Sequence, residues 1–515
     1  TYIAEAQGRY RRPIVCHDYE SPIDIFDRHL YEKGACVLHL LRREVGDAAF
    51  WSGVSTYLKR HAKGVVETRD LMRALEEASG KGLERFFEQW VYRAGHPDLE
   101  VKVDYSDELL NLSVKQTHIA QHAKDDAQAA LPYALDVELD LVFADGTCKR
   151  ETRRVDQASA TFAIRVPSRP KFVVVDPGLR ILGDVKVECP RDMLHAQLKG
   201  APTARGRLLA ASVLHKFDDP ATTRLLGESL ANESEFWAVR AEAAATLGKI
   251  RSDEALDVLV KHTQVAHAKV RRAVAAALGQ FRSAKAFDAL KPLAMKDASY
   301  LVEAEAARAM GQTRQPAAFD ALLDVLDRPS WSDIVRAGAI DGLAALRDER
   351  AQPHVLSRMR YGVPVRGRRA AIMALPKFST DRKVREALED LLDQADPYLK
   401  VDVARALLEI GDVKSRAALS RQLERELDGR VRRRIREVLR DLGGAGKKET
   451  ERLREELDAL RNDYASLKSR IGKLEEVANA KKDASSTNES AISQDKSESD
   501  EKSKKSKKKD VRASR

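Results

Sequence analysis

The stretch Val239-Arg240-Ala241-Glu242-Ala243-Ala244-Ala245-Thr246-Leu247-Gly248 decides the larger part of the fold. It returns as Val270-Arg271-Arg272-Ala273-Val274-Ala275-Ala276-Ala277-Leu278-Gly279 and again as Val302-Glu303-Ala304-Glu305-Ala306-Ala307-Arg308-Ala309-Met310-Gly311. Equivalent apolar positions run through Leu214, Leu247, Leu278, Met310, Leu343, Leu375, Leu408 and Leu439, at separations of 33, 31, 32, 33, 32, 33 and 31 residues. A period in that range, with an alanine-rich helix and a short Gly, Asp or Pro break, is the signature of stacked helix pairs. Alanine lets neighbouring helices approach closely and leucine fills a continuous core, so each repeat is stable mainly through its neighbours. A solenoid of this kind builds surface and performs no reaction of its own.

Ahead of the repeats the period is two. Leu99, Val101, Val103 and Tyr105, then Leu110, Leu112 and Val114, then Tyr133, Leu135, Val137, Leu139, Leu141 and Phe143 alternate with polar neighbours, as half-buried strands do. Asp145-Gly146 is a hairpin signal, and Phe162, Ile164, Val166 and Phe172-Val173-Val174-Val175 supply later strands. A small β-sandwich over 99–190 is expected.

The first 98 residues read as helices over 31–43, 48–61, 68–78 and 84–92, and Gly95-His96-Pro97 ends the last one, since proline lacks an amide donor and restricts the residue before it. Within them lies Phe26-Asp27-Arg28-His29-Leu30-Tyr31-Glu32-Lys33-Gly34-Ala35, running into the apolar Val37-Leu38-His39-Leu40-Leu41. A lone tyrosine in such a helix is ordinarily a half-buried aromatic. The form Phe-Asp-x-x-x-Tyr-x-Lys-Gly-Ala, however, resembles the segment of the aminopeptidase N family of zinc peptidases that carries the catalytic tyrosine, and Trp90 with Gly95-His96-Pro97 resembles the end of that family's catalytic domain. The resemblance covers about residues 1–190 and implies a thermolysin-like catalytic domain followed by a β-sandwich. It also implies that Tyr31 stabilises the oxyanion formed when zinc-bound water attacks a peptide carbonyl, a task suited to a phenol, which is a neutral donor at neutral pH.

The family's zinc is held by HExxH and a downstream Glu, because two histidines four apart share a helix face and the intervening Glu activates water. Neither element is present in this chain. His118-Ile119-Ala120-Gln121-His122 has the histidine spacing without the Glu and is expected in a polar loop; His17, His29 and His39 are expected to be surface or helix histidines. No metal ligand is therefore assigned, and the resemblance implies zinc only in an intact parent whose zinc half lies upstream of Thr1. By that reading the parent hydrolyses amino-terminal residues from peptides, and this chain alone is inactive. The alternative is a non-catalytic scaffold of the same fold, acting through its HEAT-like repeats in protein–protein assembly.

The chain is thus expected to be multidomain and mainly α: the helical end of a catalytic domain over 1–98, a β-sandwich over 99–190, HEAT-like repeats over 195–443, a coiled coil over 447–480 and a disordered Lys/Ser-rich tail over 481–515. Leu453, Leu457, Leu460, Tyr464, Leu467, Ile471 and Leu474 alternate at intervals of 4 and 3, and the pairs Glu456–Arg461, Asp463–Lys468 and Arg470–Glu475 are opposite in charge, which suits a parallel homodimer. Lys and Arg number 90 against 80 Asp and Glu, a net charge of +10, but charges of both signs spread through 33% of the chain describe solvated helix faces rather than a nucleic-acid binder. Cys16, Cys36, Cys148 and Cys189 show no CxxC spacing, which suits a reducing compartment. With no apolar run long enough for a membrane span, the chain is read as cytoplasmic, its true amino terminus not being in view.

Overall fold

A computed structural model describes residues 2–7, 10–122, 129–378 and 382–442. Helices Asp47–Arg60 and Thr68–Ser79 lie where the apolar spacing places them. The helix expected over 31–43 begins differently. Residues His29–Lys33 form a π-turn, with the Lys33 amide donating to the Arg28 carbonyl oxygen at 2.9 Å, and the α-helix proper is Gly34–Val45. A second π-turn, Glu88–Tyr92, follows the short helix Glu84–Phe87. Such turns admit one extra residue and leave no mark in the hydrophobic period.

Among the described residues seven strands follow: β1 Asp98–Ser106, β2 Leu109–Gln116, β3 Leu135–Val142, β4 Cys148–Val155, β5 Ser159–Arg165, β6 Phe172–Val175 and β7 Asp184–Glu188. They make one sheet in the order β5-β2-β1-β7 and another in the order β4-β3-β6. β1 and β2 are antiparallel through a tight turn at Asp107-Glu108, both at positive φ, the mirror-image turn geometry that matches strand twist. The β3–β4 hairpin carries the expected Asp145-Gly146, where Asp145 Oδ1 accepts from the Thr147 amide and hydroxyl and Gly146 takes φ +85°. β7 pairs with β1 in parallel. The sandwich core and the helical segment are one cluster: Leu99, Val101, Leu112 and Leu139 pack with Leu41, Phe87 and Trp90.

From Arg191 onward the chain is a helical solenoid. Leu214, Leu247, Leu278, Met310, Leu343 and Leu375 are all fully buried, as the period requires. At the last two positions the register slips by one: the buried residues are Leu407 and Val438, with Leu408 and Leu439 only partly covered. Capping is explicit, as where Asp219 accepts from the amides of Ala221 and Thr222 ahead of Pro220–Ala231. Packing is closest around Gly311 and Gly342: a Cβ on Gly311 would lie 1.8 Å from the Gly342 carbonyl oxygen, so two backbones meet with no room for a side chain. No helix among the described residues is long and apolar enough to cross a membrane. The coiled coil expected over 447–480 and the tail expected over 481–515 lie outside the described residues.

A candidate site at Tyr31

The sequence around Tyr31 folds into a locked turn. Asp27 Oδ1 accepts from the amides of His29 at 2.9 Å and Leu30 at 3.3 Å, which satisfies donors that the start of a helical turn leaves free. The Asp27 carboxylate is in turn gripped by the Arg12 guanidinium fork, Nε to Oδ2 at 2.9 Å and Nη2 to Oδ1 at 2.6 Å. Arg12 also donates to the carbonyls of Pro13, Ile14 and Ile25, tying two stretches of loop to one side chain. Burial alone would raise the Asp27 pKa, but the adjacent His29 ring and the Arg12 fork outweigh it and hold the carboxyl well below the usual range.

Lys33 is fully buried, and its Nζ donates to the Arg93 carbonyl oxygen at 3.1 Å. Burial, then the charges of Arg11, Arg12 and Arg93, bring its pKa down to about 7. His29 is fully buried too, within the π-turn and edge-on to the Tyr2 ring with centroids 5.2 Å apart, so of the expected surface or helix placements it takes the helical one. His17 and His39 are exposed. Above the frame Tyr31 is 55% exposed, its ring held edge-to-face against Phe26 at 5.1 Å.

Tyr31 opens onto a groove of about 1190 Å³ whose far wall comes from the last solenoid helices, through Arg369, Tyr398, Arg405 and Arg434. The solenoid returns to the helical segment here. Tyr10 donates to Glu437, the Arg433 guanidinium lies 4.1 Å over the Tyr10 ring, and Arg436 meets Glu20 at 2.5 Å. The partners are more than four hundred residues apart in the chain.

Zinc does not fit the donors that are present. Among the described residues Glu5, Asp27 and His29 bring three ligand-type atoms within 4.8 Å of one another, but Arg12 occupies both Asp27 oxygens and Arg28 lies 3.2 Å from Glu5, so the set is already neutralised. His118–His122 is a short helix rather than the expected loop. His118 is buried, with Nε2 3.2 Å from the Leu131 carbonyl oxygen and Nδ1 3.4 Å from the Asp98 amide, so its ring is spent on structure.

Comparison with known proteins follows this division. Residues 3–90 match the Peptidase family M1 domain, and residues 191–268, 263–344 and 353–440 match HEAT repeats. The chain is 39% identical over 99 residues to aminopeptidase N of Lactococcus lactis, covering 19% of this chain and 11% of that protein. It is 45% identical over 80 residues to tricorn protease-interacting factor F2 of Thermoplasma volcanium, covering 16% and 10%. The chain therefore spans about a tenth of the length of these relatives. A crystal structure of Legionella pneumophila aminopeptidase A in complex with aspartic acid shares the fold, with a TM-score of 0.58 at 14% identity over 84% of this chain and 59% of that one. Over its first ninety residues the chain is thus similar to the aminopeptidase N family, and the residues behind them match HEAT repeats.

Proposed function

We propose that this chain is the carboxy-terminal part of a zinc-dependent aminopeptidase, and that Tyr31 is its catalytic contribution. The observation that carries the reading is the contrast at the turn: a tyrosine 55% exposed, standing on a frame in which His29 and Lys33 are fully buried. A rigid neutral donor facing a groove is suited to charge that appears only in the transition state. Its hydroxyl donates a hydrogen bond to the oxyanion of a peptide carbonyl under attack. In the family zinc supplies the activated water; the 515 residues here contain no HExxH to hold it, so the chain alone is inactive on this reading.

One face of the Tyr31 helix supports the idea of a further peptidase segment. Directly after the turn, Gly34 and Leu38 share a face of the helix by their four-residue spacing; Leu38 is exposed and a Cβ on Gly34 would meet nothing within 4 Å. We assign 1–98 to the catalytic domain, 99–190 to the β-sandwich and 195–443 to a solenoid that walls the groove and limits the length of peptide substrates. The four free cysteines, two of them exposed, fit a cytoplasmic setting. The test is Tyr31→Phe in the zinc-bearing form, with turnover read against zinc content.

A further inference from the structure

We infer that one edge of the solenoid, where Arg251, Arg282, Arg314 and Arg347 follow one another in the turns after alternate helices, is a docking groove for an acidic polypeptide segment. The inference is independent of Tyr31. Each of the four stands four residues after the buried core position of its repeat, namely Leu247, Leu278, Met310 and Leu343, so the repeat itself sets them in a row. They line a groove of about 790 Å³, within the size range of pockets that hold small ligands and short peptide stretches.

Three of these arginines sit where the backbone would prefer another residue. Arg251, Arg314 and Arg347 have φ of 60°, 58° and 57°, the left-handed conformation that glycine takes without penalty at helix ends. The equivalent position after Leu407 is Gly411, at φ 75°. A bulky side chain kept at a strained position in three repeats points to a use for the side chain.

That use is not internal neutralisation. Among the described residues no ion pair is made by any of the four. Arg251 donates to the Gln280 side-chain oxygen at 3.0 Å and Arg314 to the Leu346 carbonyl at 2.9 Å, both neutral acceptors. Burial, then the charges of Arg347 and Arg282, lower the Arg314 pKa, which shows like charges held together. The other basic residues of the lining, Arg308 and Lys377, already pair with Glu305 and Glu409, and Asp341 is the groove's single acid. An anionic partner would relieve this repulsion through charge-assisted forks to carboxylates.

A polypeptide fits better than a nucleic acid. The apolar part of the lining includes Ala344, Ala345 and Met373, while the one aromatic ring there, Phe281, is buried and offers no face on which a base could stack.

The experiment is fluorescence anisotropy on the full chain with an acetylated, fluorescein-labelled peptide of alternating glutamate and alanine. A lysine–alanine peptide and a thymidine oligonucleotide of equal length serve as comparisons. The acidic peptide is expected to bind saturably and more tightly than either, and Arg282→Ala/Arg347→Ala to weaken it at least about ten-fold, the worth of one charge-assisted hydrogen bond. Arg382→Ala, an exposed arginine outside the groove, is expected to leave affinity unchanged. Since the substituted side chains are exposed, an unchanged melting temperature shows that the double variant is folded. Binding that survives the double variant belongs elsewhere, as on the lysine run 504–509, and overturns the proposal. So do tighter binding of the oligonucleotide and the absence of saturable peptide binding.

Discussion

The Nζ of Lys33 and the carbonyl oxygen of Arg93 lie 3.1 Å apart, joining the turn that bears Tyr31 to the point where the chain leaves the helices for the sandwich. The lysine is fully buried, and its pKa falls from an ordinary 10.5 to about 7, first by burial and then by Arg11, Arg12 and Arg93. Between those values the unfolded chain holds one proton more than the folded one. Stability therefore rises with pH across that window, by up to about 1.4 kcal/mol per pH unit from this group. Below the window both states are protonated and the contribution to the slope vanishes. Lys33→Met should remove the rise, and urea titrations of both proteins across the window would show it. Parallel curves would contradict the assignment.

Arg12→Ala should cost several kcal/mol, on the order of 3, because it leaves the half-buried Asp27 carboxylate without its fork. Asp27→Asn added to it should recover part of the loss, since the uncompensated charge is then gone. Equal stability of the single and double variants would show that the charge is not what is lost.

Glycine substitutions should separate two kinds of site. Gly342→Ala forces a Cβ to within 2.5 Å of the Ala307 carbonyl oxygen and should destabilise the solenoid by roughly 2 kcal/mol or more. Gly34→Ala, at helical φ with open space around it, should be neutral or stabilising by up to about 1 kcal/mol. Thermal melts in the reverse order would count against the packing described.

If the solenoid walls the groove, then removing residues 195–515 from the zinc-bearing enzyme should raise rates on long peptides more than on short ones. Unchanged relative rates across a length series would leave the solenoid as a docking surface alone.

The helix repeat and the alternating strands were legible because burial on one face imposes a period. Where the period was ambiguous the reading slipped: Leu407-Leu408 and Val438-Leu439 are adjacent apolar pairs, and sequence alone picked the outer member of each. The extent of strand β4, beyond the hairpin signal at Asp145-Gly146, was not legible for a different reason. Seven of its eight residues are at least partly exposed, and it is fixed by cross-strand pairs, Arg150 with Asp140 at 2.7 Å and Arg154 with Asp136 at 3.0 Å, each directly opposite in register. At the candidate site Tyr31 stood out by its flanking residues, but the burial of His29 and the fork from Arg12 depend on loops meeting in space.

Turnover of an aminoacyl chromogenic substrate by Tyr31→Phe, in the zinc-bearing enzyme with metal content measured on the same preparation, tests the central claim most directly. Loss of one oxyanion donor predicts a fall in kcat of about two to three powers of ten, with zinc content unchanged. Turnover within about a factor of two of the unsubstituted enzyme, well below what a lost oxyanion donor costs, would contradict the role assigned to Tyr31.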